Sequence, residues 1–180
     1  MKPNVIRLDR ELITVMEVIE QRTIAFMREH LAMLTEGTDR RLYYEEGVTL
    51  RSMTAIVGVG SETGLYVAYS YDDSLIRAMT SRYTAELSIA PEDEELYAQE
   101  TASDITSVII GNSTADLAKR GEVIPLSPPI LMVGARKIHG RRETTIAIIT
   151  LRFQEGALDV AFVGPRRLFD DHLNYQGDVP

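Results

Sequence analysis

The spacing of apolar residues along this chain switches twice from the three-and-four rhythm of a helix to the alternation of a strand. Leu12, Val15, Met16, Ile19, Phe26, Met27, Leu31 and Leu34 form one apolar helical face. The spacing therefore predicts a long N-terminal helix over residues 9–36, with Asp9 as its cap and Gly37 as its left-handed stop. Residues 38–47 are polar and read as a loop. A hairpin follows, with strands at 54–59 and 65–71 around the turn Gly60-Ser61-Glu62-Thr63-Gly64. In its second strand Leu65, Val67, Tyr69 and Tyr71 share a face. Asp72, Asp73 and Ser74 cap a shorter helix that ends near Tyr83 or Leu87. Pro91, with acids beside it, then opens a third helix over residues 94–119 that stops at Gly121.

The rest of the chain repeats the theme. Residues 123–134 are extended, but Pro125, Pro128 and Pro129 make them a poor central strand. A second hairpin pairs 144–153 with 157–163 around Gln154-Glu155-Gly156, and a polar tail fills 164–180, with one more turn expected at 168–173. The hairpins resemble each other, Leu65-Tyr66-Val67-Ala68-Tyr69 against Leu158-Asp159-Val160-Ala161-Phe162. The expectation is an α+β fold in one domain, residues 1–180, with long helices packed on an antiparallel sheet built from two hairpins and an internal pseudo-repeat.

Composition narrows the function. A chain of 180 residues, 44% hydrophobic and 26% charged, can bury a core without staples. Cysteine is absent, which removes disulfides, thiolate metal sites and a cysteine nucleophile, and suits a reducing cytoplasm. The first residues carry no apolar signal-peptide core, and the longest greasy run, 146–151, is too short to cross a bilayer. A net charge of −8 argues against nucleic acid and anionic membranes as partners.

The third helix carries the chemistry. Glu100, Asp104, Ser107 and Gly111 are four, three and four residues apart, which stacks them in one stripe, while Ala98, Ala102, Ile105 and Ile109 face the other way. An ordinary solvated face favours Lys, Glu and Gln, whereas residues 101–114 hold Asp104, Thr106, Ser107, Gly111, Asn112, Ser113 and Thr114. A glycine inside a helix costs about 1 kcal/mol against alanine, so a helix that accepts one invites a close approach.

This stripe, with its helical setting, resembles the CheX/CheC family of chemotaxis phosphatases. Their long helix carries an acid or serine, then a glutamate four residues on, an asparagine three further, and a glycine or asparagine four beyond that. The segment Glu100 to Asn112 matches those spacings, and the proline-rich segment ending Ile130-Leu131-Met132-Val133-Gly134 resembles the strand that follows that helix; the likeness covers residues 49–163. It implies a helix that inserts into a CheY-like response-regulator receiver domain. There the amide orients a water for in-line attack on an aspartyl phosphate, and the acid engages the receiver's lysine. By that likeness Asp104 and Ser107 are the catalytic pair, Glu100 and Gly111 shape the partner contact, Mg²⁺ resides on the receiver with no cofactor in this chain, and a homodimer forms through the sheets.

Two residues depart from the pattern. Asp104 stands for glutamate and Ser107 for asparagine, and each change retracts the reach of the site by roughly one bond length. Misplacement by about 1 Å can cost about a hundredfold in rate. Asn112 lies about 140° around the helix from Ser107 and cannot replace it. Two readings stay open: a receiver phosphatase working through an altered pair, and a binding adaptor of the same fold that lost the chemistry.

Other features read as structure. Glu17 and Glu20 on the first helix have no asparagine near them, and Asp171-His172-Leu173-Asn174 sits in the polar tail. The basic run Arg136-Lys137-Ile138-His139-Gly140-Arg141-Arg142 reads as a solvated loop, with docking on an acidic partner as its functional alternative. His30, His139 and His172 lack metal-ligand spacing. Tyr66, Tyr69 and Tyr71 read as sheet packing, and Met27, Met33, Met53 and Met79 as core fillers.

Overall fold

A six-stranded sheet, antiparallel at every pairing, organises the chain in the order β1-β5-β6-β3-β2-β4. The computed structural model describes residues 12–44, 47–60, 64–118, 123–134, 137–139, 144–165 and 168. Its strands are β1 (Gly37–Tyr44), β2 (Met53–Val59), β3 (Leu65–Tyr71), β4 (Ile130–Val133), β5 (Thr144–Phe153) and β6 (Gly156–Pro165). Three helices, α1 (Leu12–Leu31), α2 (Asp73–Tyr83) and α3 (Glu94–Leu117), pack on one face of it.

Both hairpins form where the alternation places them, and β3 joins β6 at the centre. Helix, edge strand and hairpin occur twice in chain order: α1, β1, β2–β3, then α3, β4, β5–β6. Each edge strand pairs with the other unit's hairpin, β1 on β5 and β4 on β2. Ala68 and Ala161, which coincide when the two hairpin sequences are aligned, stand directly opposite each other. The pseudo-repeat is thus a real pairing, with an approximate twofold between β3 and β6.

The helix-side core holds the expected residues. Val67, Tyr69, Tyr71, Val160 and Phe162 are buried beneath Met16, Ile19, Met27, Ile105 and Ile109, and Met33, Met53 and Met79 are buried with them. The two long helices each tie a threonine to a β3 tyrosine: Thr23 and Tyr69 hydroxyls lie 2.7 Å apart, as do Thr106 and Tyr71. Burial pushes both phenols far above the ordinary tyrosine range. On the opposite face Arg51 donates to both carboxylate oxygens of Asp159 (2.7 and 3.1 Å) and to Asp72 (2.7 Å).

Several expectations fail for physical reasons. The loop expected at residues 38–47 is strand as far as Tyr44: Gly37–Tyr44 is an edge strand, whose charged Asp39, Arg40 and Arg41 suit an edge that faces water and discourages further pairing. The sheet is therefore larger than two hairpins by β1 and β4. Helix α1 ends at Leu31 and not at Glu36. Ala32 takes the left-handed conformation (φ +50°), and the Met33 amide closes on the Met27 carbonyl at 2.9 Å. Leu34 consequently leaves the core and is exposed. Tyr66 points to the far side of the sheet and is also exposed, unlike Tyr69 and Tyr71.

Asp72 sits at the start of α2 without capping it, because its carboxylate serves Arg51 and the Ala157 amide (2.8 Å). Gly164 and Pro165, expected in the tail, still belong to β6. Gly156 turns the second hairpin at φ +147°, where a side chain would press on Asp72 and Ser74. The proline-rich segment lies at the sheet edge as β4. Asp9, Lys119, Gly121, most of the basic run and Asp171 to Asn174 lie outside the described residues. Within that run, Lys137 and His139 are exposed and Ile138 bridges to Val48.

Candidate functional site

Helix α3 starts after a single 3-10 turn at Pro91–Asp93, with Glu94 and Glu95 in its first turn, where acids oppose the helix dipole. Its buried face is built from Ala98, Thr101, Ala102, Ile105, Thr106, Ile109, Ile110, Ser113 and Thr114. These mostly small side chains let it sit close to the sheet and α1. Two of its buried hydroxyls are satisfied within the helix, Ser113 donating to the Ile109 carbonyl (2.7 Å) and Thr114 to that of Gly111 (3.0 Å), while Thr106 meets Tyr71 of the sheet.

The predicted stripe lies on the side turned away from that core, beside other exposed residues such as Val108 and Asn112. Glu100 and Asp104 are exposed, and Ser107 and Gly111 are half-buried. Glu100, Asp104 and Ser107 line one groove of about 560 Å³, walled by Tyr83 and Thr84 at the end of α2, by Leu96 and Tyr97, and by Pro129 and Leu131 of the β4 edge. Gly111 is not part of that groove; it lies one helical turn beyond it. A methyl group added at Gly111 would meet nothing within 4 Å, so no packing within the described chain requires the glycine.

Two hydrogen bonds define the chemistry available. The Tyr83 hydroxyl donates to Oδ2 of Asp104 at 2.7 Å. That bond, with partial burial and the carboxylate's charge, holds the phenol above its ordinary range. Ser107 turns its hydroxyl back on the Ser103 carbonyl at 2.8 Å, the familiar helix-internal bond of serine. Asparagine is longer and would reach outward; serine in this rotamer does not. The stripe thus presents a positioned carboxylate flanked by a hydroxyl whose proton is engaged.

Known structures supply the comparison. A putative chemotaxis protein from Desulfovibrio vulgaris Hildenborough superposes with a TM-score of 0.67 at 17% identity, over 84% of this chain and 97% of its own. A CheC-like superfamily protein from Shewanella sp. PV-4 gives 0.70 at 12% identity, over 88% and 98%. This chain has a CheC-like fold. The CheX–CheY–BeF3–Mg²⁺ complex from Borrelia burgdorferi contains a similar chain, with a TM-score of 0.62, 16% identity and coverage of 84% and 97%. By sequence, no protein-family model and no curated protein matches.

The CheC-like fold places α1 and α3 in corresponding positions of the two units, yet α1 offers no second stripe. Glu20 is buried against Arg40, and Thr23 is spent on Tyr69. Among the described residues no three His, Asp or Glu side chains gather as a metal site requires, and no helix is long and apolar enough to cross a membrane. Sequence reasoning missed Tyr83, which lies 21 residues from Asp104 and reaches it only through the packing of α2 on α3.

Proposed function

We propose that this chain is a cytoplasmic chemotaxis or two-component signalling protein that docks α3 on the phosphorylated receiver domain of a CheY-like response regulator. The observation that carries the reading is the stripe: three polar side chains at motif spacing face one open groove, on a helix whose other face is locked in the core. Asp104 offers a carboxylate to the receiver's lysine ammonium, and Glu100 and Gly111 shape the approach. A CheX of similar fold forms a complex with CheY, BeF3 and Mg²⁺, which supports a receiver as partner. The Mg²⁺ belongs to the receiver in this reading. Pairing of two copies through a sheet edge, where β1 and β4 have no outer neighbour among the described residues, is part of the same proposal, and sedimentation tests it.

Hydrolysis of the aspartyl phosphate is the catalytic step. Ser107 would hold the attacking water in line by exchanging its bond to the Ser103 carbonyl for one to that water. The same bond favours the second reading, a non-catalytic adaptor. A serine already satisfied within its helix gains little by turning outward, so docking can persist without chemistry.

Decay of a phosphorylated receiver in Mg²⁺ buffer, with and without the protein, decides between them. Acceleration that disappears in Ser107→Ala and Asp104→Ala establishes the phosphatase. Unchanged decay with binding intact establishes the adaptor. Failure to bind any receiver sinks the phosphatase and leaves only an adaptor for some other protein.

A further inference from the structure

Nothing in the family pattern behind the α3 stripe assigns a role to the end of α2, yet the stripe's acid is hydrogen-bonded there. We propose that Tyr83 is a positioning residue of the site: its hydroxyl fixes the direction in which the Asp104 carboxylate meets a partner, an inference that rests on reading α3 as the docking helix. Tyr83 is the last residue of α2 and donates to Oδ2 of Asp104 at 2.7 Å. Oδ1 has no partner among the described residues and is the oxygen left for a partner's ammonium group.

The phenol is itself held from behind. Its ring leans on Phe26, centroids 6.5 Å apart at 45°, and Phe26 is buried and stacked on His30 at 4.7 Å. The adjacent Arg82 fastens the end of α2 to the end of α1, donating to the Leu31 carbonyl (2.9 Å) and the Ala32 carbonyl (3.2 Å), and pairs with Glu155 of the second hairpin turn. The hydroxyl therefore occupies a place set by three elements. An exposed aspartate otherwise samples several rotamers and must give up that freedom on binding. Tyr83 removes this cost in advance. A phenol is protonated at neutral pH in any case, and the hydrogen bond to the carboxylate, with partial burial and its charge, raises its pKa further, so the hydroxyl is a donor there.

The test pairs a measurement on the free protein with one on the complex. Tyrosine labelled with ¹³C at Cζ reports the ionisation of Tyr83, assigned by its loss in Tyr83→Phe. The Tyr83 signal should titrate above the ordinary phenol range and fall toward it in Asp104→Ala. Identical titration in both backgrounds overturns the inference. Affinity for a beryllofluoride-loaded receiver should drop roughly three- to tenfold in Tyr83→Phe, the effect of one charge-assisted hydrogen bond, with the thermal midpoint essentially unmoved. In the Asp104→Ala background the same substitution should cost nothing. An equal loss in both backgrounds, or no loss in the native one, also overturns it. If no loaded receiver binds even the unaltered protein, the docking reading fails, and the titration alone judges Tyr83.

Discussion

Replacing Gly111 by alanine should make this protein more stable and its partner contact worse. The glycine lies inside α3, where its backbone freedom costs about 0.5–1 kcal/mol relative to alanine. Its position has ordinary helical geometry and half-buried exposure, and an added methyl would find no atom within 4 Å. Nothing within the described chain offsets the gain, so Gly111→Ala should raise stability by about 0.5–1 kcal/mol. For a chain of 180 residues that is a rise of about 1–4 °C in Tm. Calorimetry or urea unfolding with an unchanged m-value reads it. Receiver affinity, measured by titration calorimetry, should fall in Gly111→Ala and be lost in Gly111→Arg, while both variants stay folded. Loss of stability in the alanine variant would refute the packing argument. A stabilised alanine variant together with a fully binding arginine variant would refute the placement of the partner on this stripe.

Three further outcomes follow from particular contacts. Ser107→Asn restores an outward amide, and receiver dephosphorylation should increase by up to about a hundredfold over the native protein, read as the half-life of the phosphorylated receiver. Ala32→Gly relieves a left-handed alanine at the end of α1 and should add about 0.5–1 kcal/mol in urea unfolding, since Met33 and Arg82 already hold the turn in place. Tyr69 and Tyr71 keep their protons in the folded state well past the pH at which an unfolded chain releases them. Their stabilising contribution is complete below about pH 10 and is lost above it, at about 1.4 kcal/mol per pH unit for each phenol. Tyr69→Phe should remove its share of that alkaline slope in unfolding curves taken between pH 10 and 12. Thr23 keeps its bond to the Ile19 carbonyl in that variant.

The parts of the fold legible in sequence are those whose pattern is set within a single element. Leu65, Val67, Tyr69 and Tyr71 alternate because one face of β3 is core, and the α3 stripe follows from helical spacing alone. The parts that were not legible depend on neighbours. The segment Gly37–Tyr44 reads as polar chain because an edge strand takes its order from its neighbours: Asp39 pairs with Arg152 of β5 and Arg40 with Glu20 of α1. The helical spacing runs five residues past the true end of α1, because an alanine, not a glycine, adopts the left-handed turn, supported by the distant Arg82. Tyr83 carried no signal at all, since its hydroxyl matters only where α2 meets α3.

The same division explains the character of the site. Spacing along a helix fixes which residues face a partner, but it does not fix which atoms are free to act. Asp104 and Ser107 occupy corresponding places in the stripe, yet one hydrogen bond turns the acid into a fixed acceptor and another turns the hydroxyl inward. A serine that bonds its own helix loses about one hydrogen bond's worth, roughly 1 kcal/mol, in rotating out to hold a water, and only a docked phosphoryl group can return it. Docking through the carboxylate demands no such rearrangement. In the proposed docking, recognition therefore uses α3 as it rests, whereas hydrolysis would have to be induced by the partner. The protein should bind a receiver far more readily than it discharges one.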